Sequence, residues 1–365
     1  MKTVLVGIPC LRVGGTEIQT LLLVEALVSG GYRVVTVCYF EFDTGMVEQY
    51  RRAGSIVECL SPEGIRPQGS KATYLFLHKG LKHIVKAYHP DVAHIQYMAP
   101  GALPIIILKQ LGVSKVLATS HTMADIYRRL FVPRLLQRLL LTAFTCITET
   151  AERSFFHSSL VYSDSVSLKR RNHFTLPNSL PPNYPITPRA VDCRRCRMGF
   201  VGRRERIKGA DLILPAFALL QKQYPHATLT ITGDGKLMPL MLQQQEELSL
   251  PVEWKGRQPQ EALVAIYQDI DILWMPSRSE GFGLTAIEAM ANGCLVVAAD
   301  TGGLSEIIGH PSLLCRPDNA QSLADTTLRL LSALPDVEPT AIAQHYQFEQ
   351  YQATILSLYS KIFHD

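Results

Sequence analysis

What the chain lacks narrows it first. No apolar run reaches eighteen residues without a charge, so no segment reads as a membrane-spanning helix. The opening MKTVLVGIPC is too short and strand-like for a secretion signal, and the expected location is cytoplasmic. No GxGxxG follows the first strand. The glycines there read GIPCLRVGGTEIQT, with Gly14 and Gly15 just ahead of a helical stretch, which argues against a dinucleotide-dependent dehydrogenase. The eight cysteines are scattered, and Cys38, Cys146 and Cys294 sit inside apolar strands as reduced core thiols would. Cys193 and Cys196 form one CxxC, but no second ligand pair stands at zinc spacing, and no metal is expected. Nor do basic residues cluster with aromatics, so nucleic acid is not an expected partner.

What is present points to two domains. The chain has 365 residues, 47% of them hydrophobic, enough to fill two cores. Short β-branched runs (KTVLVGI, RVVTVC, DVAHI, KVLAT, FTCIT) alternate with amphipathic stretches of ten or more residues. That alternation predicts βαβ units and a parallel sheet. The five-proline run PNSLPPNYPITP, residues 177–188, interrupts it, and a second series follows: RMGFVG, ATLTITG, VEWKG, DILWM, CLVVAA. The expected organisation is a first α/β domain over 1–180, a Pro-rich linker over 181–196, a second over 197–344, and a final helix over 345–365. Charge divides along the same line. Residues 1–195 carry 23 Lys+Arg against 13 Asp+Glu, and the remainder 13 against 19.

The chemistry concentrates in SRSEGFGLTAIEAMANG, residues 277–293. Glu280 lies in a glycine turn and Glu288 about one turn into the helix that follows. Backbone N–H groups at a helix start, approached closely through glycine, suit a phosphate. Carboxylates accept hydrogen bonds from hydroxyls, so the pair together suits a sugar nucleotide. The same spacing also arises from a surface turn and a solvated helix residue. A second element, FVGRRERIKGADLILPAF, places Arg203 and Lys208 between Gly202 and Gly209 after a strand. Two cations there can converge on one diphosphate, or form a solvated basic turn. Arg204 and Arg206 read as surface charges. His121 follows a strand in ATSHTMAD, and His94 opens HIQYMAPG; Asp125 is a weaker acceptor-side candidate. Asp269-Ile270-Asp271 is formally a DxD, but Asp271 runs straight into an apolar strand and reads as a strand-entry residue.

These motifs, in this order, resemble retaining GT-B glycosyltransferases, specifically glycosyltransferase family 4 (glycosyl transferases group 1). The resemblance rests on the E-x7-E pair Glu280/Glu288, the G-R-x4-K-G run from Gly202 to Gly209, His121, the paired Gly14 and Gly15, and the smaller pieces ITGDGKL (231–237), WKGRQPQEAL (254–263) and TGGLSEII (301–308). It covers almost the whole chain and implies an α/β fold of two Rossmann-like doubly wound domains facing across a cleft. It further implies transfer of a sugar from a nucleotide diphosphate, a UDP-sugar by default, with retention and without a metal or other cofactor. Glu288 would hold the ribose hydroxyls, and Glu280 and His121 the transferred sugar. The amides of Gly281, Phe282, Gly283, Leu284 and Thr285, with Arg203 and Lys208, would stabilise the departing diphosphate. Gly14 and Gly15 would approach the donor, and Gly256 and Arg257 would lie beside the base. The chain departs from the family at LPNSLP (176–181), where Ser179 replaces the usual glycine.

The acceptor is unread. The expectation is a glycan or lipid-linked acceptor in surface polysaccharide synthesis. YRRLFVPRLLQRLLLTAF, residues 127–144, could lie on an anionic membrane as an interfacial helix, or pack as a core helix with its arginines outward. A GT-B epimerase or phosphorylase and a non-catalytic sugar-nucleotide-binding subunit are the alternative functions. The intact E-x7-E stands against the epimerase, and the complete set of charged residues stands against a decayed site.

Overall fold

In the computed structural model of the protein, residues 1–96, 102–126, 130–192 and 195–364 are described. The chain divides into two compact units, Met1–Pro181 with Phe348–Asp365, and Pro182–Gln347. Tyr97–Gly101, Tyr127–Arg129 and Cys193 lie outside the described residues, and with them parts of the HIQYMAPG, 127–144 and CxxC segments.

The first unit is built on β1 (Thr3–Ile8), β2 (Arg33–Cys38), β3 (Ile56–Cys59), β4 (Val92–Gln96), β5 (Lys115–Ser120), β6 (Ala143–Cys146) and β7 (His173–Thr175). They form one sheet in the order β3-β2-β1-β4-β5-β6-β7, with every neighbour parallel. All six residues of β1 are buried, as expected of a strand covered on both faces. The C-terminal helix Phe348–His364 belongs to this unit. Its Ile355, Leu358, Tyr359 and Ile362 share a core with Leu23 and Leu27 of the helix Gly15–Ser29 and with Val4 and Val6 of β1. Each such side chain contributes roughly 1.5–3 kcal/mol on full burial, so this helix is an integral layer of the unit.

The second unit repeats the plan with β8 (Arg197–Val201), β9 (Thr228–Thr232), β10 (Val252–Gly256), β11 (Ile272–Met275), β12 (Leu295–Ala299) and β13 (Leu314–Cys315), in the order β10-β9-β8-β11-β12-β13. Its pairings are parallel as well. Each sheet reverses its winding beside its own first strand, between β1 and β4 and between β8 and β11. Ligands of doubly wound sheets bind at the carboxyl ends of strands at that reversal.

Three readings of the sequence change or sharpen here. The stretch after Pro182 is tied into the second unit. Arg189 donates to Asp271 Oδ1 at 3.1 Å and to the Asn292 carbonyl at 2.9 Å. Arg197 grips the same Asp271 through Nε at 2.8 Å and Nη2 at 2.9 Å. Burial opposes ionisation of Asp271, but these two arginines outweigh it and hold the carboxyl below its usual range. That carboxylate serves an internal ion-pair cluster. Ser179 is buried, its N–H donating to Gln19 Oε1 at 3.2 Å. It is not among the residues with positive φ, so this turn does not require the glycine it lacks.

The third concerns the helix Phe131–Leu140. It exposes Phe131, Val132, Leu135 and Leu139 and turns Pro133 and Gln137 inward. Arg134 bonds the Phe155 carbonyl and His157. The helix is amphipathic in both senses: Leu136 and Leu140 pack against the core with Arg138 outward, as a core helix would, while Phe131, Leu135 and Leu139 form a second apolar stripe that faces solvent. Among the described residues, no helix is long and apolar enough to cross a membrane.

Candidate active site

At the carboxyl ends of β8, β9 and β10, three glycines bring the backbones together. The Gly202 N–H donates to the Thr232 carbonyl at 3.1 Å, and that of Gly233 to the Gly256 carbonyl at 2.6 Å. Gly233 has φ +118°, and a Cβ there would fall 2.0 Å from the Gly202 carbonyl oxygen, so only glycine fits. The turn 233–235 also fixes Arg204, whose N–H donates to the Asp234 carbonyl at 2.6 Å. Arg204 is not the surface charge expected from its neighbours. Its side chain is buried, with the guanidinium 5.6 Å from the Trp254 ring centre, and burial lowers its pKa. Stacking on an aromatic face offsets part of that desolvation. Arg206 is exposed, as expected. Gly256 closes β10 and Arg257 beyond it is exposed.

The next turn carries the central contact. Lys208 ends a short 3-10 turn, Arg206–Lys208, and its Nζ lies 2.6 Å from Glu280 Oε2. Both side chains are largely buried. Gly209, at φ +67°, lets the chain turn away: a Cβ there would meet the Pro276 carbonyl oxygen at 2.1 Å. Glu280 is held from its other sides too. Ser277 Oγ is 3.4 Å from the same carboxylate oxygen, and the Gly303 N–H donates to the Glu280 carbonyl at 3.0 Å. Arg203 takes a different partner, Glu205 at 2.8 Å, with its side chain exposed. The two cations expected to converge on one anion are thus held by separate carboxylates.

Beyond Glu280 and Gly281, Phe282 is buried with its ring edge-on to Tyr346, centroids 5.4 Å apart, which anchors the loop. Gly283, at φ +101°, then starts the helix Leu284–Ala291, with no side chain capping it. Leu284 and Thr285 form its first turn, where N–H groups and helix dipole favour an anion. Glu288, one turn further, is partly buried, and Tyr267 donates a hydrogen bond to its Oε2 at 2.8 Å. Burial pushes the Glu288 carboxyl up to about 7, against the opposing pull of that hydrogen bond. Asn292 Nδ2 donates to the Tyr184 hydroxyl at 3.2 Å nearby.

In the first unit, Gly14 caps the helix Gly15–Ser29 in extended conformation, with Gly15 exposed. A Cβ on Gly14 would lie 2.6 Å from Glu17 Oε2. His121, just past β5, is buried, its Nε2 2.8 Å from Gln96 Oε1 at the end of β4. Burial pushes its pKa down to about 3, so it is neutral at physiological pH. His94 is an internal residue rather than an acceptor contact: Tyr359 holds its Nδ1 at 2.8 Å and Thr119 its Nε2 at 2.7 Å. Asp125 is exposed in the 3-10 turn Ala124–Ile126. Gln96, Tyr267 and Ser277 escaped the reading of the sequence. Gln96, inside HIQYMAPG, and Ser277, at the start of the Glu280/Glu288 stretch, lay close to residues already singled out, whereas Tyr267 did not.

These features define a GT-B-type chain. Residues 13–165 match the family model described as Glycosyltransferase Family 4, and residues 195–333 the one described as Glycosyl transferases group 1. The chain belongs to that glycosyltransferase family. Over 182 residues it is 35% identical to the D-inositol 3-phosphate glycosyltransferase of Corynebacterium urealyticum, covering 45% of this chain and 43% of that protein. Over 190 residues it is 30% identical to the mannosylfructose-phosphate synthase of Agrobacterium fabrum, covering 46% and 42%. These alignments span under half the length of the curated relatives. Among solved structures, Anabaena Alr3699/HepE in complex with UDP and glucose superposes with a TM-score of 0.77 at 16% identity, covering 99% of this chain and 100% of that one. The sucrose-phosphate synthase of Thermosynechococcus elongatus gives 0.75 at 20% identity, covering 100% and 99%. At such identities the likeness is one of fold.

Proposed function

We propose that the chain is a retaining glycosyltransferase that moves a sugar from a nucleoside diphosphate, a UDP-sugar by preference, to a hydroxyl of a glycan or lipid-linked acceptor. The observation that carries this reading is the Lys208–Glu280 contact at 2.6 Å. It lies one loop from a helix start with no side-chain cap, and Glu288 stands on that helix. Lys208 supplies a compact cation for the diphosphate, and the N–H groups from Gly281 to Thr285 supply fixed dipoles as charge builds on the leaving oxygen. Arg203 adds an exposed guanidinium, and Glu280 and Glu288 accept from sugar and ribose hydroxyls. In a front-face transfer the acceptor oxygen bonds to the anomeric carbon as the bond to the phosphate oxygen breaks. The acceptor proton passes to that phosphate oxygen. A neutral His121 fits hydrogen bonding to the sugar rather than charge stabilisation. Solved fold neighbours hold UDP and UDP-glucose, which supports the choice of base.

A second proposal concerns the acceptor side. The outward stripe Phe131, Leu135 and Leu139, beside Arg138 and within the basic half of the chain, suits the surface of an anionic membrane. A lipid-linked acceptor would be met there.

The test is turnover. The protein is incubated with UDP-glucose, GDP-mannose or ADP-glucose and a panel of glycan and lipid-linked acceptors, and released nucleoside diphosphate is measured. Product configuration is read by proton NMR. One donor class should be consumed with the anomeric configuration kept. Tight donor binding with no release from any donor would instead favour a non-catalytic subunit.

A further inference from the structure

Beside His121 the first unit holds a small cavity of about 20 Å³, where the amides of Gln19 and Gln96, His94 and Thr119 meet an otherwise largely aliphatic lining that includes Leu23 and Ile355. Roughly 10–15 Å³ suffices for one water molecule, provided polar partners reach it. They do. Thr119 Oγ1 bridges His94 Nε2 and Thr145 Oγ1, each at 2.7 Å, so a row of hydroxyl and imidazole groups runs across β4, β5 and β6. Gln96 stands at the end of this row, 1% exposed. Its Oε1 lies 2.8 Å from His121 Nε2, while its Nε2, buried, has no hydrogen-bond partner among the described residues. A buried amide donor left bare is costly, and native structures satisfy such groups with ordered water.

We propose that Gln96 is the positioning residue of His121: its amide oxygen accepts from Nε2–H, and its amide nitrogen is anchored by an ordered water in this cavity. This arrangement fixes one imidazole tautomer and one ring plane. Nδ1 is then the acceptor nitrogen of the ring, so His121 receives a hydrogen bond from a hydroxyl rather than giving one. A glutamine does what a carboxylate here would not, since it sets the tautomer without stabilising the imidazolium. Burial already keeps the ring neutral. The consequence for sugar binding rests on the reading of His121 as a donor-sugar contact; the tautomer does not.

The full chain, labelled with 15N-histidine, decides both parts. Tautomer and titration of His121 are read by long-range 1H–15N correlation in the wild type, Gln96→Leu and Gln96→Glu. UDP-glucose and UDP affinities are measured by calorimetry on the same samples. The wild type should show a single Nε2–H tautomer that does not titrate above about pH 5. Gln96→Leu should give mixed tautomers and narrow the preference for UDP-glucose over UDP by about tenfold, leaving UDP affinity in place. Gln96→Glu, closest in shape and so the safer fold, should raise the His121 titration toward neutrality and make UDP-glucose affinity pH-dependent. An unchanged tautomer in Gln96→Leu and an unshifted titration in Gln96→Glu would overturn the role of Gln96. Tautomer changes with the affinity ratio untouched would keep Gln96 as positioning residue and remove His121 from the donor sugar.

Discussion

Tyr267 and Glu288, 21 residues apart in sequence, meet at 2.8 Å, the phenol donating to one carboxylate oxygen. Glu288 lies on the helix Leu284–Ala291 and Tyr267 on the preceding helix Gln260–Gln268, with its ring fully buried. One oxygen is thereby fixed by the protein, which sets the orientation of the carboxylate. Burial raises the group to about 7 from an ordinary 4.5.

That raised value predicts a pH dependence for nucleotide binding. Ribose hydroxyls donate to the ionised carboxylate, so UDP affinity should rise from about pH 6 to about pH 8, with release of up to about one proton. The folded carboxyl keeps its proton between its ordinary 4.5 and about 7, where an unfolded one has lost it. The contribution of Glu288 to stability therefore falls as pH rises through that window. Glu288→Gln should flatten both profiles. Calorimetry in buffers of different ionisation enthalpy and thermal melts across the range check the two signs.

The Lys208–Glu280 pair makes a kinetic prediction. Lys208→Ala should cut kcat about 100-fold, roughly 2–3 kcal/mol of lost transition-state stabilisation, with a smaller rise in donor KM. Because each residue holds the other, Lys208→Ala and Glu280→Gln should combine less than additively in a double-mutant cycle. Strict additivity in steady-state kinetics would mean that the contact has no part in turnover.

Asp271 predicts a stability effect distinct from catalysis. It is 1% exposed and gripped by Arg189 and Arg197, so Asp271→Ala strands two partly buried guanidinium groups. Breaking such a cluster costs about 3–5 kcal/mol. Its lowered pKa means that its contribution is fully present above the ordinary value of 3.8 and is lost only as pH falls below that value through the lowered folded one. Urea denaturation at about pH 7 and about pH 2.5 should show a smaller mutant effect at the lower pH.

The exposed stripe of the helix Phe131–Leu140 is tested with vesicles. Leu135→Asp with Leu139→Asp should weaken binding to vesicles of anionic phospholipid at least about fivefold and leave nucleotide affinity unchanged. Equal sedimentation of mutant and wild type would leave the stripe without a membrane role.

The sequence showed most clearly what is local. Two parallel sheets follow from apolar runs six residues long or shorter, and the turns at Gly209 and Gly283 stand in the chain beside the residues they place. What crosses the fold was hidden. Arg204 looked solvated because Trp254, which covers it, comes fifty residues later on another strand. Gln96 and His121 meet across β4 and β5, and Tyr267 reaches Glu288 between helices. Arg203 and Lys208 resembled one anion clamp, yet Glu205, two residues from Arg203, competes for its guanidinium. The helix Phe131–Leu140 shows a helical period in sequence whichever side faces solvent, so only packing could reveal that Leu135 and Leu139 point out while Leu136 and Leu140 meet the core.

The most direct test of a nucleotide-sugar site is calorimetric titration of the wild type and of Glu288→Ala with UDP, GDP, ADP and their sugars. The account predicts that one nucleotide, UDP foremost, binds the wild type at micromolar strength and that Glu288→Ala loses at least about tenfold. Binding of none of them, or equal binding by the mutant, would contradict it.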